Sequence, residues 1–309
     1  MAGRVAKFIG LTRRSDRTPQ TAMIDLHCHI LPGIDDGARD LETSLAMART
    51  YVADGVSIVA CTPHILPGLY HNSGPQIRHA TAKLQQLLIE RGIPLRLTTG
   101  ADNHVIPEFL SELRSGKLLS LADSRYVLVE PPHHVAPPRL EELFFNLITA
   151  NYVPILTHPE RLTWINSAYA NMEQLYTAGA WFQVTAGSLS GDFGRNAQYW
   201  AERLLDEGKV HLLATDAHDL KARPPRLSRG RELAAKRIGD TEAANLVVTR
   251  PRGVLQNVPP SELPPPGLRS SAVERVVVET RNKNGRADAR NSGHSRGRSL
   301  VGRLREFFQ

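Results

Sequence analysis

MIDLHCH, residues 23 to 29, is an apolar run that ends in two histidines with a cysteine between them. Read as a β-strand it alternates: side chains at i and i+2 share a face, so His27 and His29 point together and Cys28 points away. One such pair is weak evidence for a binding site. Its weight depends on what the ends of the other strands carry.

Apolar runs of strand length recur at VSIVACTPH (56 to 64), LRLTTGADNH (95 to 104), YVLVEPP (126 to 132), VPILTHPE (153 to 160), WFQVTAGS (181 to 188) and VHLLATDAH (210 to 218). Amphipathic stretches lie between most of them, among them LETSLAMARTYVADG (41 to 55), IRHATAKLQQLLIERG (77 to 92) and RLEELFFNLITANY (139 to 152). Several stop on a glycine before the next run, at Gly55, Gly92, Gly179 and Gly208. Seven strand-then-helix units predict an α/β fold with a parallel sheet covered by helices, either a closed barrel or an open doubly wound sheet. In both, the C-terminal strand edges lie on one face, and whatever they carry converges there.

They carry ligand chemistry. The first run ends in His27 and His29, followed by the acidic pair Asp35 and Asp36 before Gly37. The second ends in His64, the third in Asp102, the fourth in Glu130, the fifth in His158, and the seventh in Asp216 and His218. Imidazole and carboxylate without thiolate suit Zn²⁺, Mn²⁺ or Fe²⁺, and this set exceeds the demand of one ion, which takes about four to six ligands. Two or three cations are expected. His133 and His134, in PPHHVAPP, either line the site or sit in a loop, whereas His71, His79, His104 and His211 read as surface or packing residues.

The rest of the composition narrows the class. The 309-residue chain has a formal charge of +7, which invites a nucleic-acid reading. Residues 1–21 hold five Lys/Arg against one Asp, and residues 259–309 hold ten against five acids, leaving 23 basic and 25 acidic residues for 22–258. The basicity therefore belongs to the tails, and no nucleic-acid partner is expected. No apolar run is long enough to span a bilayer, the N-terminus lacks a signal-peptide core, and two cysteines, Cys28 and Cys61, make no disulfide framework, so a cytoplasmic protein is expected. The expected organisation is a basic extension over 1–21, a catalytic barrel over 22–258, and a Pro-rich linker with a basic disordered tail over 259–309. The final SLVGRLREFFQ either forms amphipathic turns that touch a partner or an acidic lipid surface, or stays a solvated terminus.

The strand-end residues resemble the PHP (polymerase and histidinol phosphatase) superfamily, and within it the manganese-dependent protein tyrosine phosphatases of bacterial capsule and exopolysaccharide clusters. The resemblance covers roughly residues 23 to 255 and rests on MIDLHCHILPGIDDGA, CTPH, DSRYVLVEPP, PILTHPER, QVTAGSLSGDFG and ATDAHD with RPPR. It implies a distorted (β/α)7 TIM-like barrel with a trinuclear metal centre on His27, His29, Asp36, His64, Asp102, Glu130, His158, Asp216 and His218. It also implies phosphate-holding arginines at Arg161 and Arg223. One position departs: the family usually has Glu where this chain has Asp102, one methylene shorter. The implied reaction is hydrolysis of phosphotyrosine by a metal-activated water, with Asp216, His218 or His64 assisting proton transfer, and the implied partner is a tyrosine kinase of polysaccharide export.

Rival chemistries fit less well. A cysteine phosphatase needs an arginine six positions after its cysteine; Ile34 and Pro67 stand there instead. An amidohydrolase often needs a strand-end lysine, where Glu130 is found. No G-x-x-x-x-G-K-[ST] occurs, since Gly116-Lys117 is followed by Leu118. The alternatives carried forward are another PHP phosphoesterase, acting on histidinol phosphate or a nucleotide, and a degenerate barrel scaffold with a basic binding tail.

Overall fold

In the computed structural model, which describes residues 21–268, the opening run forms strand β1 (Met23–Cys28) with every residue buried. Helix α1 (Leu41–Ala53) follows, its first turn held by Asp40, whose carboxylate accepts from Thr43 N at 2.8 Å. Next come β2 (Val56–Cys61), β3 (His64–Ile65), α2 (Gly74–Glu90), β4 (Arg96–Thr99), β5 (Asp102–His104) and α3 (Phe109–Ser115). The alternation continues with β6 (Tyr126–Glu130), α4 (Leu140–Thr149), β7 (Val153–Thr157), α5 (Tyr169–Ala178) and β8 (Trp181–Thr185). It ends with α6 (Ala186–Leu189), α7 (Gly194–Asp206), β9 (Leu212–Ala214), α8 (Leu227–Ile238), α9 (Asp240–Ala244), a π-turn and α10 (Arg250–Leu255).

Two of the seven expected strands are each broken in two. Pro63 interrupts the run 56–64, because it has no N–H to give to a ladder. Gly100 interrupts 95–104 where the backbone passes so close to its neighbours that a β-carbon would sit 2.8 Å from Leu121 and 3.0 Å from Thr62. The pieces fall in two parallel sheets, ordered β1-β2-β4 and β3-β5-β6-β7-β8-β9. Since β2 runs on into β3 and β4 into β5, the nine strands occupy seven positions. The last joins the first by one bridge, Cys28 to Ala217, with His29 N donating to Ala217 O and Asp216 N to His27 O, both at 2.9 Å. The sheet is thus a distorted (β/α)7 barrel, as expected.

Alternation along the strands separates two cores. Ile24, Leu26, Ile58, Tyr126, Leu128, Ile155, Trp181 and Leu212 fill the barrel interior, and the intervening residues pack outward against the helices. The β1–β2 register shifts between Asp25 and Cys28. That irregularity lets interior Leu26 be followed directly by His27 at the site, while Cys28 packs in the outer core.

The Pro-rich stretch differs from its composition. Where 258–267 reads as a disordered linker, residues 258–268 pack against the end of the barrel opposite the site. Tyr126 Oη donates to Val258 O at 2.8 Å, and the fully buried Arg250 donates to Pro264 O and Pro265 O at 2.8 and 2.9 Å. Burying a guanidinium is tolerable only when its donors are met, and this segment supplies two of the acceptors. The expected extension 1–21, the polar stretch 281–298 and the amphipathic end lie, but for Thr21, outside the described residues.

Candidate metal centre

The nine sequence candidates come from the C-terminal ends of six of the seven strand positions and the loop after the first, and the structure brings all of them together. His27 and His29 leave β1, His64 opens β3, Asp102 opens β5, Glu130 closes β6, His158 follows β7, and Asp216 and His218 follow β9. Asp36 reaches back from the β1–α1 loop. That loop lies so close to β1 that a β-carbon on Gly37 would fall 2.1 Å from His29 O, so only glycine fits there. His158 (φ 34°) and Asp216 (φ 53°) are both left-handed, a conformation costly for non-glycine residues and found where the fold over-determines a functional geometry.

Ligand atoms within 4.8 Å of one another form five overlapping groups: His29, Asp36, His64 and His218; His27, His29 and Asp216; His27, Asp102 and His158; Glu130, His133 and His158; and His64, Asp102 and Glu130. Shared members tie these groups into one centre. His27 Nε2 lies 3.3 Å from Asp216 Oδ1 and 3.4 Å from Asp102 Oδ2, and His64 Nδ1 lies 3.1 Å from Glu130 Oε2. The short side chain of Asp102 therefore still reaches the cluster.

The charges are compressed. Burial opposes ionisation throughout, yet Asp216 is held well below the usual carboxylate range by His27, Arg223 and Arg161. Burial likewise works against the His27 imidazolium, but Asp216 and Asp102 push its pKa up to about 9, and Asp102 and Glu130 push that of His64 up to about 12. His218 goes the other way, down to about 4, through burial and the neighbouring His29. Carboxylates this deep demand cations, and here the imidazoles answer that demand.

Divalent cations suit the same residues better. Asp102 Oδ1 and Oδ2, Glu130 Oε2, His64 Nδ1, His158 Nδ1 and His218 Nε2 are buried without an aligned hydrogen-bond partner among the described residues. Buried polar atoms are normally satisfied, and six exceptions in one cluster of imidazole and carboxylate fit a metal-binding set.

Arg161 and Arg223 frame the centre. One guanidinium nitrogen of each hydrogen-bonds Asp216 Oδ2, the edge of that carboxylate turned from His27 and His29. The Arg161 guanidinium lies 4.3 Å from the centroid of Phe193 and that of Arg223 6.0 Å, so one aromatic ring braces both.

A family model for capsular polysaccharide synthesis, CpsB/CapC, matches residues 23–256. The chain belongs to the CpsB/CapC family. The tyrosine-protein phosphatase YwqE of Bacillus subtilis is 39% identical over 201 residues, 65% of this chain and 79% of that protein. The tyrosine-protein phosphatase CpsB of Streptococcus pneumoniae is 26% identical over 76% of this chain and 99% of its own length. A solved structure from work on YwqE and CpsB, described there as unique metal-dependent tyrosine phosphatases, aligns with TM-score 0.75 and 34% identity over 80% of this chain and 99% of that one.

The CpsB/CapC chain also holds site residues that sequence reasoning missed. His104, expected at the surface or in packing, has Nε2 3.0 Å from Glu130 Oε2. His133 joins Glu130 at 3.2 Å, which resolves the choice left open for it, whereas His134 is exposed. Asp35 orients two candidates: its carboxylate takes His29 Nδ1 at 2.7 Å and His64 N at 3.1 Å. Gln183, on the one expected strand that brought no His or carboxylate, accepts from His27 Nδ1 at 2.8 Å and so presents Nε2 to the centre. Beneath them Asp25 accepts from Tyr51 Oη and from Thr215, anchoring the residue before Asp216.

Proposed function

We propose that this chain is a metal-dependent protein tyrosine phosphatase that converts a phosphotyrosyl protein and water into the tyrosyl protein and inorganic phosphate. The reading includes manganese as the native metal, two or three ions, a cytoplasmic setting, and a tyrosine kinase of polysaccharide export as the substrate protein. No helix among the described residues is long and apolar enough to cross a membrane. The observation that carries the reading is the convergence of Arg161 and Arg223 on the outer edge of Asp216, whose inner edge faces His27 and His29. Anion-binding forks and a ligand cluster thus meet on one carboxylate.

The residues that would hold the cations are His27, His29, Asp36, His64, Asp102, Glu130, His158, Asp216 and His218. Divalent ions, when bound, neutralise phosphate charge and make water acidic enough to be a nucleophile near neutral pH. The chain's own residues do the rest. The planar guanidinium groups of Arg161 and Arg223 match phosphate oxygens in pairs, and Phe193 holds both against drift. With one nitrogen of each already held on Asp216, the two groups would meet charge developing on the equatorial oxygens with little reorganisation. His218 and His64 stand within the same cluster and can relay a proton to the departing phenolate, which needs less help than an alkoxide, while Asp216, held well below the usual carboxylate range, stays ionised and fixes the arginines. Cys28 takes no part: it is fully buried, its thiol pKa is pushed well up by burial, and Sγ faces Ala217 O.

The test compares chelated and Mn²⁺-restored protein on phosphotyrosine peptides, phosphoserine peptides, histidinol phosphate and p-nitrophenyl phosphate. Activity should need the metal and favour phosphotyrosine; Arg161→Ala should lower kcat/KM about 10²- to 10³-fold, and Cys28→Ser should leave it nearly unchanged. Full activity in excess chelator, or a preference for histidinol phosphate, would overturn the reading.

A further inference from the structure

Arg223 faces two ways. Besides meeting Asp216, it lines a separate small cavity of about 60 Å³, room for a carboxylate group, together with Phe193, Asp192, Arg226 and Arg229. Phe193, which braces the phosphate-binding arginines, is also part of this wall, so the cavity adjoins the site. Its charge is lopsided. Arg226 and Arg229 are exposed, and no side-chain partner holds either among the described residues, while the one acid of the wall, Asp192, accepts from Ser190 Oγ at 3.0 Å. Nε of Arg223 is buried and has no hydrogen-bond partner among the described residues.

The free arginines do not serve the adjoining helix. The first N–H groups of α8, on Leu227 and Ser228, donate to the Asp54 carboxylate at 2.7 and 2.8 Å, and Ser228 Oγ donates to its other oxygen at 2.6 Å. Those bonds also pin residues 227 and 228, between the two arginines. Pro224 and Pro225 stiffen the approach from Arg223. Three arginines within seven residues are thereby presented on a fixed frame around a concavity that opens to solvent.

We propose that this cavity is a second anion subsite, which takes the carboxylate of an Asp or Glu lying close in sequence to the phosphotyrosine held at Arg161 and Arg223. The proposal rests on the phosphatase reading and deepens it to a substrate preference. An extended peptide advances about 3.3 Å per residue, so side chains two apart share a face roughly 7 Å from each other. A carboxylate side chain is shorter than phosphotyrosine and ends nearer the surface, where Arg226 and Arg229 stand. Lysine at that position would instead meet like charge.

The experiment uses matched phosphotyrosine peptides carrying Glu, Gln or Lys two residues before or after the phosphotyrosine, assayed with Mn²⁺-loaded full-length protein. A Glu peptide should show a KM about three- to tenfold below its Gln counterpart at similar kcat, with the difference shrinking at high salt. The Arg226→Gln/Arg229→Gln variant should lose that difference while keeping wild-type kinetics on p-nitrophenyl phosphate. Because both residues are exposed, its melting temperature should stay at the wild-type value. The Arg226→Glu/Arg229→Glu variant should shift the preference toward Lys peptides. Equal KM for Glu and Gln peptides in wild type, or a preference undiminished in the double Gln variant, would overturn the subsite and leave the phosphatase reading standing. Failure to hydrolyse any phosphotyrosine peptide would overturn both.

Discussion

Asp102→Asn isolates a short-reaching carboxylate buried in the candidate centre. The carboxylate is fully buried, neither oxygen has an aligned hydrogen bond, and Oδ2 lies 3.4 Å from both His27 Nε2 and His64 Nδ1. Asparagine keeps the shape and removes the charge. In excess chelator the change should alter stability little, because His27 retains Asp216 and His64 retains Glu130. With a divalent cation the two proteins should part. For wild type at a cation concentration 100-fold above Kd, binding to the folded state alone adds about 2.7 kcal/mol. At roughly 2–4 °C per kcal/mol for a domain of this size, the melting temperature should rise by about 5–11 °C. Asp102 belongs to two of the five ligand groups, so its loss reaches cations on both sides. A 100-fold weaker site at the same concentration leaves only about 0.4 kcal/mol, a rise of roughly 1–2 °C. Differential scanning calorimetry of both proteins, chelated and then titrated with Mn²⁺, reads the difference directly. A variant that kept the full metal-dependent rise would show that Asp102 is not a ligand.

Two further outcomes test the surrounding structure. Ending the chain after Val258 removes the Pro264 and Pro265 carbonyls from the buried Arg250, at about 1.5–3 kcal/mol for each lost charged hydrogen bond; ending it after Leu268 should cost nothing, and equal urea midpoints for the two truncations would refute the packing role. His211, stacked on Trp181 and accepting from Phe182 N at 3.1 Å, has its pKa lowered from 6.5 to about 3 by burial and Arg250. The unfolded chain then binds a proton that the folded chain refuses, so this residue's contribution is full above about pH 6.5 and is lost as pH falls toward 3. His211→Asn, which keeps an acceptor, should flatten stability against pH across that window, and an unchanged slope in chelated protein would count against it.

How far the sequence alone reaches depends on which rule each residue obeys. The barrel was legible because parallel strands bury both faces and end together, which made seven apolar runs and their polar termini stand out. The breaks at Pro63 and Gly100 were not, since a proline or glycine inside an apolar run signals an interruption without saying that the strand resumes in another sheet. Asp102 and His104 stand two apart, as His27 and His29 do, so the alternation that paired the histidines also held the signal for His104. Gln183 offered no charge to notice; its role appears only when β8 is set beside β1. For the segment 258–268, prolines argued for a linker, and the opposing fact, an arginine buried in α10 that needs carbonyl acceptors, is a property of packing.

Asp216 shows what those rules produce when they coincide. Strand alternation pairs it with His218, and the closing bridge from Cys28 to Ala217 locks its backbone beside His27. Its left-handed backbone is held in place by Thr215, which is itself hydrogen-bonded to the buried Asp25. One carboxylate edge faces the imidazoles and the other faces Arg161 and Arg223. A change that loosened Asp25 or Thr215 would therefore disturb the candidate ligand cluster and the two arginines together. That coupling separates the cluster from a set of histidines that merely lie close: the placement of the candidate ligands and that of the two arginines depend on the same few backbone atoms.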